Sequence, residues 1–375
     1  MNVKSPVRMT LLAATLAASF QAIAADPAVV FDMGGKFDKS FNEAAYNGIE
    51  KWKKETGKKY LSFEITNESQ REQAIRRMAE RGASPIIGIG FGQASSIEKV
   101  AKEFPKLQFA IIDMVVDLPN VQSVVFKEQE GSFLVGTIAA MASKTGKVGF
   151  VGGMDIPLIR KFECGYKQGA LFANPKAEVI GNMTGTTGAA WNDPARGGEL
   201  AKAQFSQGVD VVFAAAGGTG IGVYQAAKDS SKLAIGVDSN QNHLHPGTML
   251  TSMLKRVDTA VYNVAKGHKA GMTVLGLKEG GVDYAVDANN AKLITPEIKK
   301  KVEAAKADII SGKIKVDIEQ RYSLADAAKA QSDEGSEAAD HNTFGIHNDP
   351  AVGDFRSLGR ARRKSAHWKS PDKNE

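Results

Sequence analysis

Three aspartates stand where an apolar run ends: Asp32 after "VVF", Asp113 after "FAII" and Asp238 after "LAIGV". Lys255 ends another such run, in "TSMLK". A carboxylate in this position caps nothing obvious, so it can accept hydrogen bonds from hydroxyls or ring N–H groups. Lys255 could bond a hydroxyl or pair with Asp238, and Arg256 beside it reads as solvated. For Asp32 the competing reading, a cap or a salt link between two halves of the molecule, is more credible than for the others. Two large aromatics also sit beside helix starts, each next to an asparagine: Phe41-Asn42 in "GGKFDKSFNEAAYNGI" and Trp191-Asn192 in "GAAWNDPARGGELAK". Two rings facing each other across a cleft clamp a flat ligand, because stacking adds a preferred geometry to area burial. As a staple packing its helix onto a sheet, Phe41 is explained equally well by the residues alone.

Little here could make or break a covalent bond. Aspartate and lysine can do acid–base work, but no nucleophile is paired with a base, and no histidine precedes His243. There is no Walker loop, no H-E-x-x-H and no nucleophile elbow. The glycine runs "GIGFG" (88–92) and "GGTGIG" (217–222) do not complete G-x-G-x-x-G, since Gln93 and Val223 hold the last position. A better use for Gly217 and Gly218 is close backbone approach to a ligand, with Thr219 capping the helix that follows. No catalysis, cofactor or metal is expected.

The elements that must position these residues alternate. Strand-like runs "AVVFD", "YLSFEIT", "PIIGIGF", "QFAIID" and "SVVF" fill the first half, and "KVGFVGG", "AEVIGNMTG", "DVVFAAAGG", "LAIGVD" and "GTMLTSML" the second. Amphipathic stretches such as "EQAIRRMAERG" and "PARGGELAKAQFSQG" lie between them. Near-continuous apolar strands alternating with helices predict parallel sheets covered on both faces. Two such sets in similar order predict two doubly wound α/β lobes, with ligands at the carboxyl ends of the strands. Ser40-Phe41-Asn42-Glu43 fits a capping box. It predicts a helix from Phe41 through Tyr46, Ile49 and Trp52 to a stop at Gly57. Asp193 and Pro194 predict the start of another.

The ends differ from the body. Residues 1–24 carry Lys4 and Arg8, then a short apolar stretch, then small residues, the order of a cleavable signal peptide. Export to the periplasm is expected, without a lipid anchor, because Cys164 is the only cysteine; it reads as a small buried residue. The net charge of +6 over 375 residues is too mild for a nucleic-acid surface. From about Gln331 the apolar periodicity stops and acids give way to bases, so 331–375 reads as a disordered tail.

Taken in order, "FDMGGKFDKSFNEAAYNGI", "IIGIGFGQASSIEKVAKEFPKLQFAIID", "GSFLVGTIAAMASKTGKVGFVGGMDIPLI", "WNDPARGGELAKAQFSQGVDVVFAAAGGTGIGVYQAA", "IGVDSNQ" and "TSMLKRVDTAVY" resemble the basic membrane protein family, the extracytoplasmic solute-binding proteins of ABC importers. The purine nucleoside receptor is the best-understood type. The resemblance runs from about residue 27 to 317. It implies a type I periplasmic binding protein fold: two lobes joined by a three-strand hinge, 25–127 plus about 249–280 and 128–248 plus about 281–325. It further implies that Phe41 and Trp191 sandwich a purine, that Asn42 and Asp113 bond its polar edge, and that Asp238 and Lys255 hold the ribose with Gly217 and Gly218 near it. Relatives often have phenylalanine at Trp191, and many carry an anchor cysteine that this chain lacks. The implied role is a monomeric receptor whose lobes close on the ligand and deliver it to a permease and its ATPase. A receptor for another small sugar-like solute is the alternative, and a periplasmic nucleoside hydrolase a more distant one.

Overall fold

The computed structural model describes residues 25–318. The expected signal peptide and the 331–375 tail lie outside them. The first sheet has the order β11-β5-β4-β3-β1-β2. Its first five strands in sequence are β1 (Ala28–Phe31), β2 (Leu61–Glu64), β3 (Ile86–Ile89), β4 (Phe109–Ile112) and β5 (Val121–Phe126), all parallel where they pair, and β11 (Gly271–Leu275) joins at the edge. The second sheet has the order β12-β10-β9-β8-β6-β7. It comprises β6 (Lys147–Met154), β7 (Glu178–Gly185), β8 (Val211–Ala215), β9 (Leu233–Asp238), β10 (Met249–Lys255) and the short antiparallel β12 (Val282–Tyr284). The two orders match position for position, so β4 and β9 hold equivalent places, as do β5 and β10. β1, β3, β4 and β5 are buried along their whole length. That burial is why they read as unbroken apolar runs rather than as alternating ones.

All ten strand-like runs form strands, whereas β11 and β12 carried no signal strong enough to be read. The second lobe also keeps more of the chain than expected. The return to the first lobe was placed near 249, but β10 pairs with β9 and stays in the second sheet. The chain crosses back only at Arg256, after which α8 (Val257–Lys266) packs on α1 (Phe41–Thr56). The other crossings are at Lys127, between β5 and α4 (Glu128–Ala142), and across 276–281, between β11 and β12. These crossing segments are tied together, with Lys127 N–H donating to Leu275 O at 3.0 Å and Arg256 N–H to Gly281 O at 2.8 Å.

The helix α1 begins at Phe41 and ends where Gly57, in the left-handed conformation at φ 68°, donates its N–H to Lys53 O. Its cap is not the expected box, because the Ser40 side chain makes no capping bond. The Asp38 carboxylate does the work instead, accepting the backbone N–H groups of Ser40 (2.8 Å), Asn42 (3.0 Å) and Glu43 (3.1 Å). One ionised group satisfying three otherwise orphaned donors at the positive end of a helix outcompetes a hydroxyl. Ser40 is thereby released for another partner.

Candidate functional site

A cleft with about 600 Å³ of unfilled space, counting the part open to solvent, lies between the lobes at the carboxyl ends of the strands. Asp32, Phe41, Asn42, Asp113, Trp191, Gly217, Asp238 and Lys255 all border it, so eight of the nine ligand-binding residues expected from sequence come together. Gly218 does not; it is buried behind the wall, against Trp191 O and the Asn192 side chain. Sequence reasoning missed the apolar wall that α5 (Pro157–Ala173) supplies through Leu158, Ile159 and Phe162, apolar residues with no local mark of a binding site.

At one end of the cleft Lys255 is 2% exposed, with its ammonium 2.6 Å from Asp113 and 3.0 Å from Glu128. Glu128 in turn lies 2.5 Å from Lys161. Three rings surround the same ammonium, Phe126 at 5.1 Å, Phe41 at 5.3 Å and Phe162 at 5.5 Å. Lys255 thus pairs with Asp113 and Glu128, not with Asp238 as one reading of the sequence had it. Burial works against its charge, but Asp113, Glu128 and Asp238 together outweigh burial and hold the ammonium above the ordinary lysine range. Burial likewise disfavours the Glu128 carboxylate, and Lys161 and Lys255 overcome it, so its pKa is lowered. The pair joins the lobes, since Asp113 follows β4 and Lys255 ends β10. Glu128 was invisible as a site residue because an acid opening an apolar helix reads simply as a favourable dipole contact.

Asp113 and Asp238 occupy equivalent places in the two lobes, and both are left-handed, at φ 71° and 64°. Such strain at a non-glycine residue concentrates at functional sites. Burial pushes each carboxyl up to about 6. Asp113 Oδ1 has no hydrogen-bond partner among the described residues, while Asp238 Oδ2 accepts the hydroxyl of Ser40 from the opposite lobe. Gln241 Nε2 donates across the same gap to Lys39 O at 2.8 Å. The lobes are therefore in contact beside the cleft.

These raised values have a consequence for stability. A folded-state carboxyl titrating near 6 rather than 3.8 keeps its proton to higher pH than the unfolded chain does. Its contribution to stability is therefore lost as pH rises through that window and regained as pH falls. Lowering the pH from 7 to 5 is expected to stabilise the ligand-free protein relative to Asp238→Asn by about 1 kcal/mol. Parallel urea titrations of both proteins check this, and parallel curves at the two pH values would refute it.

Trp191 closes a short 3₁₀ turn with its indole against β6, where a Cβ on Gly153 would come within 2.0 Å of the ring. The loop is pinned by Thr219, whose hydroxyl donates to Ala190 O (2.8 Å) and accepts from Asp193 N–H (2.7 Å). Thr219 was expected to cap the next helix; its side chain makes no capping bond there. Asp193 does cap, accepting Arg196 N–H at 2.9 Å at the start of α6 (Pro194–Ser206). Asn42 borders the cleft, but its amide is engaged: Oδ1 accepts Asp32 N–H at 3.1 Å and Nδ2 donates to Asp32 O at 3.3 Å. It fixes the β1–α1 turn, a duty that weakens the expectation that it bonds a ligand. Among the described residues no group of three or more metal-ligating side chains converges, and no helix is long and apolar enough to cross a membrane.

Residues 25–320 match the family model described as ABC transporter substrate-binding protein PnrA-like. The chain belongs to that family. The ABC transporter nucleoside-binding protein BmpA of Lactococcus lactis is 37% identical over 317 residues, covering 77% of this chain and 88% of that protein. Basic membrane protein A2 of Borrelia garinii is 34% identical over 302 residues, covering 77% and 87%. Among solved structures, an ABC transporter solute-binding protein from Aeropyrum pernix K1 superimposes with a TM-score of 0.72 at 30% identity, covering 82% of this chain and 98% of that one. As a PnrA-like protein the chain is an extracytoplasmic substrate-binding receptor that works with an ABC permease, with the type I periplasmic binding fold.

Proposed function

We propose that the solute is a purine nucleoside, taken up in the periplasm by the soluble chain once its signal peptide has been cleaved, and released to the permease when the lobes open. The observation that carries this is the polarity of the cleft. Its lining combines charged groups, Asp238 and the Asp113–Lys255 pair, suited to hydroxyls, with Trp191, Phe41 and the apolar wall of α5, suited to a flat ring. The relative from Lactococcus lactis, whose name gives it as nucleoside-binding, points the same way. In this reading Phe41 and Trp191 stack on the base, and Asp238 and Lys255 hold the ribose. Closure follows because a ligand touching both lobes binds the closed state better than the open one.

The test is mass spectrometry of the freshly purified protein after denaturation. It should yield a released purine nucleoside, and a polypeptide beginning at Ala25. Release of a sugar, or of nothing that inosine, guanosine or adenosine displaces, would sink the reading. Free hypoxanthine accumulating from added inosine would show a hydrolase instead. Indole fluorescence should also change saturably with inosine, and Trp191→Ala should remove most of that change. Trp52, buried on α1, is the internal control.

A further inference from the structure

The glycine run at 88–92, which fits no dinucleotide loop, has a different use. Gly90 has φ +99°, and a Cβ there would come 2.6 Å from Asp32 Oδ2. A Cβ on Gly92 would come 2.8 Å from the guanidinium carbon of Arg71. The two glycines form a floor on which an Asp32–Arg71 pair lies. Arg71 Nη2 donates to Asp32 Oδ1 at 3.0 Å, and Met33 N–H donates to the same oxygen at 2.9 Å. Glu68, 3.5 Å from Nη1, steadies the other side of the guanidinium. Asp32 Oδ1 is thus held twice, while Oδ2 accepts no hydrogen bond among the described residues. Asp32 borders the cleft; Arg71 is largely buried and does not.

We propose that Arg71 is a positioning residue of the binding site: lying on Gly92, it fixes the Asp32 carboxylate so that Oδ2 is presented to a hydrogen-bond donor of the solute. This salt link stays within the first lobe, so it does not bridge the lobes, and its arginine comes from the start of α2 (Arg71–Glu80), thirty-nine positions along the chain. A planar fork suits the task better than an ammonium would, because it can donate to Asp32 while facing Glu68 in one fixed plane. The glycine spacing follows from the same geometry, since any side chain at 90 or 92 would displace one partner of the pair.

The inference rests on the nucleoside reading of the cleft, and a double-mutant cycle separates the two. Inosine, guanosine and adenosine are titrated calorimetrically into the full chain, Arg71→Gln, Asp32→Asn and the double variant. Gly92→Ala, which keeps both charges, is run in the wild-type and Asp32→Asn backgrounds in case Arg71→Gln folds poorly. Arg71→Gln is expected to weaken the tightest ligand roughly 10-fold in the wild-type background and less than about 2-fold beside Asp32→Asn, the non-additivity of a residue acting through another. Gly92→Ala should show the same dependence on Asp32. Equal losses in both backgrounds, or none in either, would overturn the role of Arg71 while leaving the nucleoside reading intact. No binding of any nucleoside by the unaltered chain would remove that reading, and this inference with it.

Discussion

Replacing Lys255 by methionine is expected to destabilise the protein by about 3–5 kcal/mol, the usual result of removing one partner from a buried ion pair. The reason lies in what is left behind. Lys255 is 2% exposed and serves both Asp113, 4% exposed, and Glu128, fully buried. Without it Asp113 loses its only cationic neighbour within 4 Å among the described residues, whereas Glu128 keeps Lys161. Removing both charges of the lobe-bridging pair is a different matter. The double variant Lys255→Met, Asp113→Asn leaves no orphaned charge, keeps at 113 a residue that tolerates the left-handed backbone and places an apolar side chain among Phe41, Phe126 and Phe162, so it should recover most of the lost stability. Melting curves at pH 7 decide the matter. A loss of that size corresponds to a fall in Tm of roughly 4–8 °C for a chain of this length, and a single variant melting within a degree of the unaltered protein would show that the cluster is not a strut. Ligand binding should fail in both variants, because both remove a charged group from the cleft.

The lobes were legible in the sequence because their central strands are buried on both faces, and burial on both faces writes itself as unbroken apolar runs. The rim was legible for a related reason. Polar residues such as Asp113 and Asp238 stand out when they end such a run, and an open parallel sheet places those ends together. What escaped notice depends on partners distant in sequence. Nothing near Lys255 reveals that Asp113, 142 positions away, and Glu128 converge on it. Ser40 and Glu43 match a capping box by spacing, yet Asp38 wins the helix start, and Ser40 turns to Asp238, 198 positions on. Thr219 shows the same competition, with a hydroxyl at a helix start that fastens the Trp191 loop instead. The edge strand β11 lacked a signal because it is half-exposed, and it is held in place by its pairing with β5 rather than by an apolar run of its own.

The contact between Ser40 and Asp238 sharpens the test of which end of a nucleoside each aspartate holds. Asp238→Ala is expected to weaken nucleoside binding by roughly 10- to 150-fold, the loss of about 1.5–3 kcal/mol that a buried carboxylate accepting hydroxyl donors supplies. The corresponding free base lacks those hydroxyls, so its affinity should change little. Asp238 also accepts a hydrogen bond from the opposite lobe, and its loss could therefore weaken closure on any ligand. Ser40→Ala isolates that contribution, since it removes the bond between lobes and leaves the carboxylate in place. It should weaken guanosine and guanine by the same small factor, because a shift in the open–closed balance is shared by every ligand that needs the closed state. Asp113→Ala should weaken both ligands strongly, since it unpairs Lys255 whichever end of the solute lies against it. Titration calorimetry of the three variants with guanosine and guanine separates these effects. If Asp238→Ala and Ser40→Ala reduce both affinities by one common factor, Asp238 acts as a clasp between the lobes and the ribose must be held elsewhere.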